Sequence, residues 1–291
     1  MRTFNRNSLL PEFPISGSLD KRAPFKNSTV ESTNKVPLIK LALVDVDFKQ
    51  LADSVNDAMK IYGAWNYQLG DNKVDAGYGG IGLSYNPDLP DYDVHQQVQG
   101  NASPAKDKSN PFTMLTPDEG KLYVHRNSHY DTYGLSYRTP ASKHGYLGTF
   151  LDTCKRTMVR SAVRIIYADQ EGPVGEDKYA GVTWHRDESV FENLRVNIPL
   201  ITDPIFLLEQ EGHQPVHLEA GYAYSWDTNI PHRAYAKERV PKHRIHLMLG
   251  FSCWWDFDES TGNWKQNEFF GKKHPKDMLI DGDVIPGLTL V

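Results

Sequence analysis

Between residues 160 and 253 the chain breaks into short runs of β-branched and aromatic residues, each too short for an ordinary helix and each closed by a turn signal. Residues 160–168 alternate apolar and polar side chains, and further β-like runs follow at 181–186, 194–201, 205–210, 214–218, 222–226, 232–236 and 244–253. Turns are marked by Asp203-Pro204, Glu211-Gly212, Ala220-Gly221 and Asp227-Thr228-Asn229. Strands at such even spacing, with no helix between them, predict an antiparallel barrel or sandwich and argue against a βαβ sheet. The chain shows no internal repeat, no glycine-rich dinucleotide fingerprint and no P-loop.

Within those strands sits a set of metal-ligating residue types. His185 and Asp187 are two residues apart, so an extended backbone aims both side chains the same way. His232 follows His185 by 47 positions in another strand-like run, and Arg244 comes 12 residues later. Two imidazoles and one carboxylate on one face of a metal leave positions open, the arrangement expected of a non-haem Fe(II) oxygenase. An arginine beyond the second histidine can grip a dicarboxylate through its planar fork. Taken singly, each of these residues reads more simply as packing, or for Arg244 as a structural ion pair. Their joint spacing carries the metal reading.

Residues 158–252 resemble the aspartyl/asparaginyl β-hydroxylase branch of the Fe(II)/2-oxoglutarate dioxygenases, which also includes bacterial proline hydroxylases. The likeness rests on the His185/Asp187 pair, on 195–200 (Arg-Val-Asn-Ile-Pro-Leu) and on 218–222 (Leu-Glu-Ala-Gly-Tyr). It continues through the histidine of 229–232 (Asn-Ile-Pro-His) and through 244–249 (Arg-Ile-His-Leu-Met-Leu). The resemblance implies a mainly β fold with flanking helices around a double-stranded β-helix, the jelly-roll core shared with cupins. It implies Fe(II) on His185, Asp187 and His232, with 2-oxoglutarate as co-substrate and O2 as oxidant. Succinate and CO2 would leave as an unactivated C–H bond of an amino acid, peptide or amino-acid derivative is hydroxylated. Arg244 would hold the far carboxylate of 2-oxoglutarate. Arg195 matches a second arginine position and would bind the same co-substrate or an acidic substrate group, with Asn197 on the same strand face. His246 shares a face with Arg244 and is either a pocket residue or a buried, hydrogen-bonded one. Some relatives lack the carboxylate ligand; a halogenating one needs a small residue where Asp187 stands.

Two other classes remain open on the sequence. A cupin-like protein could bind metal or ligand in the same barrel without oxygen chemistry, because fold alone does not decide activity. A metal-dependent hydrolase fits less well, since no second metal cluster or obvious general base accompanies the triad.

The rest of the chain frames this core. Residues 1–36 are rich in Ser, Asn, Pro and Lys and predict an N-terminal arm, with 37–291 as a single dioxygenase domain. A strand over 36–43 precedes an amphipathic helix through Phe48, Leu51, Val55 and Met59, capped by Asp45 or Asp47 and ending near Gly63. Residues 63–145 predict a long irregular insert, with 77–82 and 86–92 as loops. Its aromatics either cover a binding site as a lid or anchor the insert to the core; Trp65 and Tyr78 are the candidate substrate contacts. A second short helix is expected over 145–156, and the tail beyond 259, with Trp264 and two phenylalanines, is expected to pack back on the core. Cys154 and Cys253 read as reduced thiols of a cytoplasmic protein. A net charge of −5 without a basic run disfavours nucleic acid as a partner. No secretory signal or membrane span is expected, leaving a small molecule or peptide as the partner.

Overall fold

The alternation over 160–253 is realised as two antiparallel sheets that the chain visits in turn. A computed structural model describes residues 30–69, 74–87, 93–95, 97–98, 132–170 and 180–291. The first described strand is β1 (Leu38–Leu43), followed by helix α1 (Phe48–Tyr62), β2 (Trp65–Leu69), β3 (Val74–Gly82) and the short β4 (Ser84–Tyr85). After β5 (Tyr137–Arg138) come helix α2 (Gly145–Asp152), β6 (Thr157–Met158), β7 (Ala162–Tyr167), β8 (Gly181–His185) and β9 (Leu194–Ile201). The series continues with β10 (Phe206–Gln210), β11 (Tyr222–Trp226), β12 (His232–Ala236) and β13 (His243–Ser252). A β14 (Trp255–Asp258)–β15 (Asn263–Gln266) hairpin, helix α3 (Pro275–Ile280) and β16 (Leu288–Leu290) complete it.

The large sheet runs β16-β1-β11-β9-β13-β7-β3-β2, with β6 also paired to β13; the small sheet runs β10-β12-β8. From β7 onward the chain alternates strictly: β7, β9, β11 and β13 lie in the large sheet, while β8, β10 and β12 lie in the small one. The run expected at 214–218 is reduced to one bridge, Leu208 to Val216, on the edge of the small sheet. Side chains on opposite faces of each strand then serve two different layers. On the outer face of the large sheet, Ile81, Val163, Ile165, Val196, Ile198, Leu247 and Leu249 join Leu51, Val55, Leu147 and Phe150 of the two helices in the main core. On the inner face, Ile166 of β7 packs with Phe206 and Ala236 of the small sheet. Leu208 meets Tyr224 and Trp226 of β11 in the same way.

Local signals account for the helix. Of the two aspartates, Asp47 caps α1, its carboxylate accepting from the Gln50 amide at 2.9 Å, and Gly63 ends it at φ 79°. The tail folds back as expected: Trp264 is buried in the main core, and β16 pairs with β1. Both cysteines are free thiols, and burial raises each, Cys154 to about 12. Among the described residues no helix is long and apolar enough to cross a membrane.

The irregular-insert expectation needs correction at its start. Residues 77–82 form part of β3 rather than a loop, and β2 and β3 extend the large sheet. Glycine content misled, because here it serves close backbone approach in a crowded sheet. A Cβ on Gly80 would overlap the Val163 carbonyl of β7, and one on Gly79 the Trp65 carbonyl of β2. Residues 70–73, 88–92, 96 and 99–131, about half of the expected lid, lie outside the described residues, as do residues 1–29 of the expected arm. The described end of that arm is tied to α3, where Ser32 Oγ donates to Asp277 at 2.6 Å.

Gly80→Ala should therefore cost at least the about 1–3 kcal/mol typical of overpacking. The check is the midpoint of chemical denaturation, and an unchanged midpoint would mean that β3 lies less tightly on β7.

Candidate metal and anion site

The small sheet brings His185 and His232 together as direct cross-strand partners, the last residue of β8 facing the first of β12. Their ring centroids are 4.3 Å apart. Asp187 lies two residues past His185, just beyond the end of β8, and its Oδ2 is 3.9 Å from His232 Nε2. One ligand atom from each of the three lies within 4.8 Å of the others, close enough to share a metal ion.

Two local bonds set this geometry. His232 Nδ1 lies 2.9 Å from the Ile230 carbonyl, which accepts its proton and leaves the Nε2 lone pair facing Asp187. Burial, aided by the His185 imidazole, pushes the His232 pKa down to about 3, so the ring is neutral near pH 7. Thr228, in the turn before β12, accepts from the Asp187 amide through its carbonyl at 2.9 Å. Its hydroxyl donates to the Glu188 carbonyl at 2.8 Å. The turn that delivers the second histidine thus also fixes the carboxylate.

Opposite the triad, the inner face of the large sheet carries a row of cations. Directly paired residues share a face in an antiparallel sheet. Arg244 pairs with Ile166, and Ile166 with Tyr78; one step along, His246 pairs with Arg164, Arg164 with Gly80, and Gly80 with Trp65. Asn197 lies opposite Met248 on β9, and Arg195 opposite Gly250, so both belong to the inner face. Arg244 Nη2 donates to His246 Nε2 at 2.8 Å. Desolvation pushes the Arg244 pKa down to about 10 and drives that of His246 well below its ordinary value. Arg244 Nε and His246 Nδ1 are buried with no hydrogen-bond partner among the described residues, an expensive condition for such donors. The two sheets meet in this layer, where Ile166 of β7 packs with Phe206 and Ala236 of the small sheet.

Arg195 is differently placed. Its Nη1 donates to the Arg160 carbonyl at 2.6 Å and its Nη2 contacts Glu188 at 3.3 Å. With the Asn193 amide turned so that its oxygen faces the guanidinium, that oxygen accepts from Nε and Nη2 at 3.1 Å each. Glu188 is also ion-paired to Arg160 and accepts from Thr132 Oγ1 at 2.6 Å. Each of Arg195's three nitrogens is thus engaged in this network next to Asp187.

Trp65 and Tyr78 stand edge to face at 6.3 Å, with the Arg164 guanidinium 5.4 Å from the first ring and 5.5 Å from the second. Sequence reasoning passed over Arg164, Arg160, Glu188 and Thr228. The signal for Arg164 was present: it breaks the apolar parity of Ala162, Arg164 and Ile166, the face directed at the small sheet.

No family model matches the chain, and no match was found among curated proteins. Among solved structures, a 2OG-Fe(II) oxygenase-family oxidoreductase from Burkholderia pseudomallei aligns at 13% identity, over 75% of this chain and 86% of that one, with a TM-score of 0.38. A Pseudomonas putida prolyl-4-hydroxylase aligns at 11% identity over 75% and 92%, with a TM-score of 0.34. A non-heme alpha ketoglutarate dependent epimerase from nogalamycin biosynthesis gives 11%, 74% and 78%, with 0.36. At these values the functional argument rests on the chain's own geometry.

The Glu188 network yields a stability prediction. Glu188→Gln removes the carboxylate between two buried guanidiniums, and should cost about 3–5 kcal/mol in urea unfolding, the usual penalty for breaking a buried pair from one side. A loss below 1 kcal/mol would mean that the arginines find other partners.

Proposed function

We propose that the protein is an Fe(II)- and 2-oxoglutarate-dependent dioxygenase built on a double-stranded β-helix. The strict alternation of strands between two facing sheets supports the fold reading. One observation carries the function: the small sheet holds a two-histidine, one-carboxylate group, and the inner face of the large sheet holds a buried arginine whose Nε has no partner among the described residues. The donor set suits Fe(II), since neutral imidazoles and a carboxylate on one face leave room for a bidentate co-substrate and oxygen. When bound, iron, 2-oxoglutarate and O2 supply the oxidising power, releasing succinate and CO2 as the substrate C–H bond is hydroxylated.

The chain's own residues supply placement. His185, Asp187 and His232 hold the metal, and the Ile230 carbonyl keeps the His232 lone pair turned inward. Arg244 takes the far carboxylate of 2-oxoglutarate, with the unpartnered Nδ1 of His246 as a second donor beside it. Asn197 lines the same inner face. Arg195 acts as a positioning residue, bracing Glu188 behind Asp187, because its own donors are engaged. Trp65 and Tyr78 wall the substrate side. The resemblance to the aspartyl/asparaginyl and proline hydroxylases points to an amino acid, a peptide or an amino-acid derivative as substrate. A cupin-like metal-binding role gives the paired Arg244 and His246 donors nothing to do; the oxygenase reading does.

Succinate formation from 2-oxoglutarate with Fe(II) and ascorbate tests the reading. It should be abolished in His185→Ala and His232→Ala with the fold retained, and full activity of the His232 variant would sink it. Arg244→Ala should weaken 2-oxoglutarate binding by about 1.5–3 kcal/mol, roughly 10- to 150-fold. Arg244→Lys should recover only part of this, since an ammonium lacks the fork. Unaltered affinity in both variants would move the clamp elsewhere.

A further inference from the structure

We propose that Arg164 is the seat of a carboxylate carried by the primary substrate, so that this oxygenase acts on an acid held against Trp65 and Tyr78. The inference rests on the functional reading above and names the substrate's chemical class. Arg164 is 3% exposed, and its Nε and Nη1 have no hydrogen-bond partner among the described residues. Its Nη2 donates to the Val98 carbonyl, which fixes the guanidinium without neutralising it. Arg160 and Arg195 share Glu188, whereas no carboxylate pairs with Arg164 among the described residues. A buried guanidinium with free donors and no counter-ion is costly unless a ligand supplies the charge.

Charge and position both argue that this ligand is not the co-substrate. In the reading above, the charges of a divalent metal, Asp187, dianionic 2-oxoglutarate and Arg244 cancel, which leaves Arg164 uncompensated. β7 lies between β13 and the β3–β2 edge, and Arg164 pairs with His246, so Arg164 stands on the Trp65 and Tyr78 side of Arg244. A co-substrate reaching from the metal to Arg244 leaves Arg164 at its flank. An anion seated there would lie against the Trp65 and Tyr78 rings, the surface that the functional reading gives to the substrate. The two rings on Arg164 come from β2 and β3 and offer flat apolar surface to whatever carries the carboxylate. Their cation–π contacts also hold the guanidinium in place before the ligand arrives.

Thermal unfolding of the Zn(II)-loaded protein, saturated with 2-oxoglutarate, provides the test, with acetate as the probe and acetamide as its neutral twin at matched ionic strength. Acetate should raise the midpoint saturably and acetamide should not. R164M should weaken the acetate response at least tenfold while 2-oxoglutarate affinity stays within about twofold. R164K, which keeps the charge and loses the fork, should fall between. R244A should do the reverse, weakening 2-oxoglutarate and sparing acetate. R164Q repeats the measurement should R164M fail to fold. Equal responses to acetate and acetamide, or an acetate response that survives R164M, would overturn the proposal. So would an R164M variant that loses 2-oxoglutarate as badly as R244A, since Arg164 would then belong to the co-substrate clamp. A wild type that takes acetate through Arg164 but does not bind 2-oxoglutarate would sink the oxygenase reading and leave the carboxylate seat standing.

Discussion

Thr228 joins the two halves of the metal group. Its carbonyl accepts the Asp187 amide and its hydroxyl donates to the Glu188 carbonyl, while the same turn leads into His232. Asp187 and His232 come from stretches far apart in the chain, and the segment after β8 has left its ladder. Without this link the carboxylate would hang on a loop. Glu188 then anchors that loop to the large sheet through Arg160 and Arg195. A buried carboxylate between two arginines is weak evidence for net stability, because desolvation offsets much of the attraction. Its value here is positional: it sets where Asp187 stands relative to the inner face of the large sheet.

That inner face is unusual for its charge. Arg195, Arg164, Arg244 and His246 are all buried on it, facing a sheet that contributes imidazoles and one carboxylate. The outer face of the same strands is mostly apolar and carries the helices. One β-strand thus does two jobs at alternate positions. On β13, Leu247 and Leu249 build the core while Arg244 and His246 equip the site. Replacing the second set with aliphatic residues would leave a sandwich with a conventional interior and no means of holding an anion.

Much of this was legible from residue order, for physical reasons. Period-two alternation is enforced by the pleat, so β7 to β13 could be located within a residue or two, and His185, Asp187 and His232 lie within ligand reach of one another. Local capping chemistry likewise marked Asp47 and Gly63. What escaped notice depends on long-range pairing. Gly77, Gly79 and Gly80 suggest a loop until β7 and β2 are known to lie against them. Arg195 looked like a ligand clamp because its position on β9 faces inward; only its neighbours Glu188 and Asn193 reveal that its donors are spent. Arg164 looked like the polar half of an ordinary alternating strand, because the sequence does not say which face of β7 meets the small sheet.

The pairing of His185 with His232 also bears on how such a chain tolerates change in length. A strand shifted by one residue presents its opposite set of side chains. The ladder between β12 and β8 already slips once, between His232 and Ala234, as though the register had been adjusted to keep the histidines opposed while the rest of the strand stays packed. Deleting one residue from β12 would turn the His232 imidazole away from Asp187 and expose it to the outer side. The turn at Gly221, before β11, is different: an added Cβ there would meet nothing within 4 Å. Insertions and deletions in descendants of this gene should therefore collect at such outer turns, while the segment from Thr228 to His232 keeps its length even as its composition drifts.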